Sequence, residues 1–170
     1  LNLFIDGDTG KSIDIIDNLI AKTSYEELII EKKRKVKKKD YLYEIPIEDT
    51  IYIGDLGLKV NTELTTVDNI DFNSIDSFTK YFDFNKINGK LYIRNRKNGD
   101  RFFPYGMEGS KKIKDIFIDL KIPAEDRNKK LIIADDDNIL WLEGYRISDR
   151  YKVSAATKKI LKISMGGNNL

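Results

Sequence analysis

The sequence predicts an α+β protein: a β-rich N-terminal portion, then a compact mixed-sheet domain with one main helix. Three patterns lead there. Residues 41–62 hold short aromatic and β-branched runs broken by turn residues, the mark of strands rather than helices. Residues 90–96 alternate apolar and polar with period two, as a half-buried strand does. A helical period shows clearly at residues 110–121, where Ile113, Ile116, Phe117 and Leu120 fall at i, i+3, i+4 and i+7 and so share one face.

Taken in order, Tyr25-Glu26-Glu27-Leu28-Ile29-Ile30 and Tyr41-Leu42-Tyr43-Glu44-Ile45 flank a polar stretch and predict a hairpin across it. Ile51-Tyr52-Ile53 and Leu58-Lys59-Val60-Asn61-Thr62 predict a second strand pair, joined through Gly54-Asp55. Residues 67–77, rich in Asp, Asn and Ser, read as a linker, and a soft boundary is placed there. The expected division is residues 1–75, a β-rich preceding segment; 76–164, the C-terminal domain; and 165–170, a frayed tail. In Lys90-Leu91-Tyr92-Ile93-Arg94-Asn95-Arg96, Leu91 and Ile93 point one way, with Tyr92, Arg94 and Arg96 opposite. Asn98-Gly99-Asp100 is a turn. Ser110 is placed to cap the helix, which Ile122-Pro123 ends. Leu131–Ile133 and Ile139–Leu142 read as strands around the turn Asp135-Asp136-Asp137-Asn138, and Lys158–Ile163 as a last strand.

Composition excludes much chemistry. The 170 residues contain no cysteine and no histidine. Disulfides, thiol nucleophiles and cysteine-ligated zinc are excluded, with the commonest general base and metal ligand. No carboxylate pair sits where an acid would be set apart from a base, so no active site is expected. Gly10-Lys11-Ser12 suggests a P-loop, but the motif needs glycine at position 5 and Ile5 stands there. The triplet 135–137 lacks the spaced oxygen ligands of an EF-hand loop and reads as a solvated hairpin turn. No apolar run approaches the roughly 20 residues that span a bilayer, and the acidic start is no signal peptide. A cytoplasmic protein is expected, and the start without Met suggests an excised fragment.

Net charge is only +2, but it is segregated. Residues 1–30 hold six acids and two lysines; 32–39 hold seven cations in eight positions; 41–89 hold nine acids and three lysines; 90–121 hold nine cations and four acids. A neutral protein with basic stripes suits a polyanionic partner. Arg94 and Arg96 share a strand face, Lys97 and Arg101 flank the glycine turn, and Lys111, Lys112 and Lys114 begin the helix. Helix starts favour anions and arginine forks grip phosphate. On residue types alone, an ordinary soluble surface with salt bridges to Asp100, Asp115 and Asp119 fits equally well.

The order of these pieces is more specific. Arg94-Asn95-Arg96-Lys97-Asn98-Gly99-Asp100-Arg101-Phe102 leads to Gly106-Met107, Gly109-Ser110-Lys111-Lys112-Ile113-Lys114-Asp115, then Lys121-Ile122-Pro123 with Arg127, and Trp141 with Gly144-Tyr145-Arg146-Ile147-Ser148. This resembles the C-terminal domain of the tRNA(Ile)-lysidine synthase family, strongly over residues 90–163. Asn18-Leu19-Ile20, Ser24–Leu28 and Gly57-Leu58-Lys59 are more weakly similar to the segment preceding that domain. The resemblance implies a compact α+β unit related to a domain of the phenylalanyl-tRNA synthetase β subunit. The family's full enzyme is a ligase that uses ATP and free lysine to convert the wobble cytidine of an isoleucine tRNA to lysidine. Its catalysis belongs to an N-terminal PP-loop domain whose Ser-Gly-Gly-x-Asp-Ser motif this sequence does not contain.

The expectation is therefore a noncatalytic tRNA-binding region without a cofactor of its own. Its partners would be isoleucine tRNA, held at body and acceptor stem, and the parent's catalytic domain; a homodimer stays open. The expected tRNA contacts are Arg94, Arg96, Lys97, Arg101, Lys111, Lys112, Lys114, Arg146 and Ser148. Arg146 and Ser148 have an equally good structural role, with Arg146 paired to Asp149 or Asp100. Trp141, Phe102 and Phe117 are expected in the core. Tyr92 and Tyr105, beside arginine or glycine, can stack on a sugar or base. The lysine run reads as a solvated hairpin tip with tRNA contact as its second reading. The competing class is a free-standing protein-interaction or regulatory β domain of the same fold.

Overall fold

The computed structural model describes residues 12–15, 19–24, 27–32, 40–70 and 77–167. The chain divides into two compact units. The first comprises residues 1–39 and 115–129, and the second residues 40–114 and 130–170.

In the first unit, β1 (Ser12–Asp14), β2 (Leu19–Ser24) and β3 (Glu27–Lys32) form an antiparallel sheet in that order. Lys22 lies between Glu31, at 3.0 Å, and Glu125, to which it also hydrogen-bonds. The expected hairpin across the lysine run is not formed: β3 pairs with β2, whose Leu19–Ser24 stretch offers a full six-residue register. The run itself lies outside the described residues apart from Lys32, as does Gly10-Lys11.

The second unit contains two four-stranded sheets. One has the order β12 (Ile139–Leu142), β11 (Ile132–Ala134), β8 (Leu91–Arg94), β4 (Leu42–Ile45). The other has the order β5 (Thr50–Ile53), β6 (Leu58–Thr65), β13 (Ile160–Gly167), β7 (Thr79–Asp83). The described pairings are antiparallel. Alternation shows directly in β6, where Leu58, Val60 and Thr62 are buried and Lys59 and Glu63 exposed. One apolar core draws on both sheets, with Val60, Phe82, Ile93, Ile133, Trp141 and Ile163 at its centre. Burying such side chains contributes about 1.5–3 kcal/mol each.

The compact units do not divide near residue 75. β4 and β6 lie before it, yet they pair with β8 and β13 after it, and β5 joins the same sheet through β6, because each carries a hydrophobic face needing a partner sheet. Nor is the start of the expected tail frayed: Met165, Gly166 and Gly167 complete β13, opposite Val60, Lys59 and Leu58. The α-helix α1 spans Ile113–Asp119. Ile113, Ile116 and Phe117 are buried as the period requires, but Leu120 is 39% exposed, one residue past the helix end. With one α-helix among antiparallel sheets in the described residues, the chain is α+β.

Candidate nucleic-acid interface

The Arg-x-Arg-x-x-Gly-Asp-Arg segment folds as a clamped turn. Arg94 ends β8 and points its guanidinium at the Asp100 carboxylate, donating from Nη1 to Oδ2 at 2.8 Å and from Nη2 to Oδ1 at 3.0 Å. Nη1 also donates to the Asn95 carbonyl, and the Lys97 N–H donates to Asp100 at 2.7 Å. Gly99 takes φ +87°, which a residue with a Cβ adopts only at a cost. Arg94 is 9% exposed. The expectation that it grips phosphate is corrected: it shapes the turn that presents its neighbours. Asn95 acts with it, donating to Asp40 at 2.9 Å. Arg96 is half-buried and Lys97 exposed.

The turn opens into a two-stranded ribbon of β9 (Arg101–Phe102) and β10 (Lys111–Lys112). Lys111 and Lys112 are therefore strand residues, not the first turn of a helix. The Asp100 carbonyl accepts from Ile113 N–H at 3.0 Å, which extends the ladder and delays the helix. The register sets Lys112 directly opposite Arg101, and Lys111 opposite Phe102. Opposed residues share a face, so Lys111 sits on the face that buries Phe102, while Arg101 and Lys112 are both exposed on the other. Ser110 does not cap the helix; it orients Arg101, accepting from Nε at its Oγ (2.8 Å) and from Nη2 at its carbonyl (3.1 Å). These bonds engage two of the guanidinium's five donors. Lys114 is exposed on α1.

The loop joining β9 to β10 is tied to residues 146–149. The Asp149 N–H donates to the Phe103 carbonyl at 2.7 Å, and Tyr105 N–H to the Ile147 carbonyl at 3.0 Å. Gly106 N–H donates to Asp149 Oδ1 at 3.2 Å. Arg146 is exposed and donates to the Tyr105 carbonyl at 3.2 Å, rather than pairing with Asp149 or Asp100. Asp149 instead pairs with Lys152 at 2.9 Å; that ammonium, helped by the Gly106 N–H, holds its carboxyl below the usual range. Ser148 is 0% exposed, and its Oγ accepts from the Arg150 N–H to cap a 3-10 turn. Its role is structural, and it is withdrawn as an RNA contact. Sequence reasoning missed Arg150, which lies 3.7 Å over the Phe103 ring and donates to Asn138. Trp141, Phe102 and Phe117 are fully buried, as expected.

Across an open cleft of about 580 Å³ from the 97–101 turn stands the acidic turn 135–138. It is not merely solvated. Asp135 is 6% exposed and accepts from the N–H groups of Asn88, Asp137 and Asn138 and from the Tyr151 hydroxyl. Asp136 accepts from Lys90 N–H, and Asp137 from the Asn88 amide. The triplet fastens the turn before β8 to the β11–β12 hairpin. Among the described residues no cluster is arranged to hold a metal ion, and no helix is long and apolar enough to cross a membrane.

Known proteins resemble this chain across the same segment. Residues 91–164 match the TilS substrate C-terminal domain. The tRNA(Ile)-lysidine synthase of Clostridium tetani (strain Massachusetts / E88) is 42% identical over 167 residues, covering 95% of this chain and 35% of that protein. That of Caldanaerobacter subterraneus subsp. tengcongensis is 36% identical over 163 residues, covering 96% and 34%. A solved crystal structure of the TILS C-terminal domain superposes with TM-score 0.65 at 26% identity, covering 78% of this chain and 100% of that one. The chain spans about a third of the length of these curated relatives. Residues 91–164 are thus a TilS substrate C-terminal domain, in a chain that resembles the tRNA(Ile)-lysidine synthases over about a third of their length.

Proposed function

We propose that this chain is a noncatalytic tRNA-binding region and that the Arg101–Lys112 pair is the centre of its phosphate contact. The observation carrying this is the cross-strand register: two exposed cations stand directly opposite each other on a two-residue ribbon. Like charges so placed destabilise a ribbon by about 0.2–1 kcal/mol. An RNA phosphate between them turns that repulsion into two charge-assisted contacts. Lys97, Arg96, Lys111, Lys114 and Arg146 supply further positive charge within the same motif segment. Isoleucine tRNA is the proposed partner, because the relatives' names specify it. ATP and lysine, on this reading, are substrates handled by a catalytic domain of a longer cytoplasmic parent, and this chain alone forms no lysidine.

The test is salt-dependent binding of tRNA(Ile) to the chain and to Arg101→Ala and Lys112→Ala. Each lost phosphate contact should flatten the slope of log affinity against log salt by about one unit. Melting temperatures should hardly move, since exposed cations contribute about 0–1 kcal/mol. Wild-type affinity and slope in both variants would refute the assignment and favour a protein-interaction domain of the same fold.

A further inference from the structure

The hairpin that carries the cation pair at its base also carries two exposed apolar side chains at its tip. Tyr105 is 49% and Met107 47% exposed. Exposure alone says little, because single apolar side chains on a surface are common. Here, however, the backbone beneath them is fixed. Tyr105 donates to Ile147 and receives the Arg146 guanidinium on its carbonyl, while Met107 N–H donates to the Pro104 carbonyl at 3.1 Å. Pro104 bridges to the buried Ser148. Gly106 and Gly109 both take φ +74°, and a Cβ at either would meet no atom within 4 Å. The left-handed turns leave open space around the tip.

A loop built only for stability would fold its aromatic ring inward, as this one does with Phe103 beneath Arg150. Tyr105 is instead held outward on a rigid frame. The neighbouring charges decide the partner. Arg146, Arg150, Arg101 and Lys112 flank the loop in sequence or contact; of the acids, Glu108 lies between the two ribbon strands, and Asp149, which accepts from Gly106 N–H, is paired with Lys152. A rigid aromatic among cations suits a nucleobase, which offers a flat π face beside an anionic backbone. A base inside a duplex is already stacked on both faces. The tip therefore needs an unpaired base.

We infer that Tyr105 is a stacking platform for an unpaired nucleotide of the RNA whose phosphates lie on Arg101 and Lys112, with Met107 packing beside the ring. This rests on the proposed tRNA-binding reading and adds which part of the RNA the hairpin takes: a terminus, bulge or loop rather than a continuous helix.

The experiment uses the 170-residue chain, a blunt RNA duplex, and the same duplex with a single-stranded 3′ overhang bearing 2-aminopurine. Wild type should bind the overhang RNA more tightly and quench the 2-aminopurine. Tyr105→Ala should weaken overhang binding about 5- to 150-fold, the range for loss of one base stack. It should leave blunt-duplex binding, the salt slope and the melting temperature unchanged. Tyr105→Phe, which keeps the ring, should retain binding and quenching. If Tyr105→Ala binds the overhang RNA like wild type while Lys112→Ala still flattens the salt slope, the stacking proposal is overturned, the phosphate reading stands, and the tip is left to a protein contact. If the wild-type chain binds neither RNA, both readings are overturned together.

Discussion

Replacing Arg94 by alanine should unfold the interface rather than discharge it. The Arg94 and Asp100 side chains are 10% and 12% exposed, and Asp100 accepts two bonds from the guanidinium and one from Lys97 N–H. Removing the arginine leaves a carboxylate mostly out of water with a single described donor. Breaking a buried pair in this way costs about 3–5 kcal/mol. For a chain of this length, each kcal/mol lowers the melting temperature by about 2–4 °C, so the fall should be about 6–20 °C. Removing both partners, in Arg94→Met with Asp100→Asn, should cost less than Arg94→Ala alone, since no charge is stranded. Thermal and urea unfolding monitored by circular dichroism supply the stability. Binding to tRNA(Ile), measured well below the melting point, supplies the second axis. A stability loss under about 1 kcal/mol, together with a salt slope flattened by about one unit, would refute the clamp and return Arg94 to the phosphate contacts.

Three further outcomes are expected. Gly99→Ala, which forces a Cβ into φ +87° without a clash, should cost about 1–2 kcal/mol in unfolding experiments and weaken RNA binding only as the turn loosens. Asp135→Ala removes the acceptor of four bonds; leaving those groups unpaired should cost about 3 kcal/mol or more, and a value within error of wild type would show that the triplet is not a fastener. Because the chain has neither histidine nor cysteine, its stability should be nearly flat between about pH 6 and 8. On the acid side, Asp149 has a depressed carboxyl in the folded state. Its contribution is thus present above its unfolded pKa and lost as pH falls through the native value; the stability gap between wild type and Lys152→Met should close over that range.

The strands were legible where period two met burial on one face, as in β6 and β8. The helix was legible through Ile113, Ile116 and Phe117, but its start was not. Ser110-Lys111-Lys112 fits a helix N-terminus equally well, and only the distant pairing of Lys112 with Arg101 makes it a strand. The partner of β4 was also illegible. Tyr41–Ile45 has the same character as Tyr25–Ile30, and local pattern does not say that β4 joins β8, nearly 50 residues on. At the site, charge density singled out the basic segment around residues 94–112. It did not distinguish Arg94 from Arg101, because which arginine meets Asp100 depends on a turn closed by Gly99 and on burial that spacing does not encode. Ser148 was misjudged for the same reason: its hydroxyl caps a 3-10 turn in the interior.

The position of β13 has a consequence for how the protein is made. This strand, the last in chain order among the described residues, sits in the middle of its sheet, pairing with β6 over eight residues and with β7 over five. On a nascent chain, β6 and β7 have no ladder between them until Ile160–Gly167 emerges. At translation rates of about 5–20 residues per second, that leaves unpaired strand edges exposed for several seconds. Proteolytic clipping before Ile160 would re-create the same state in the finished protein: two bare edges flanking a missing strand, the geometry that recruits other chains into aggregates.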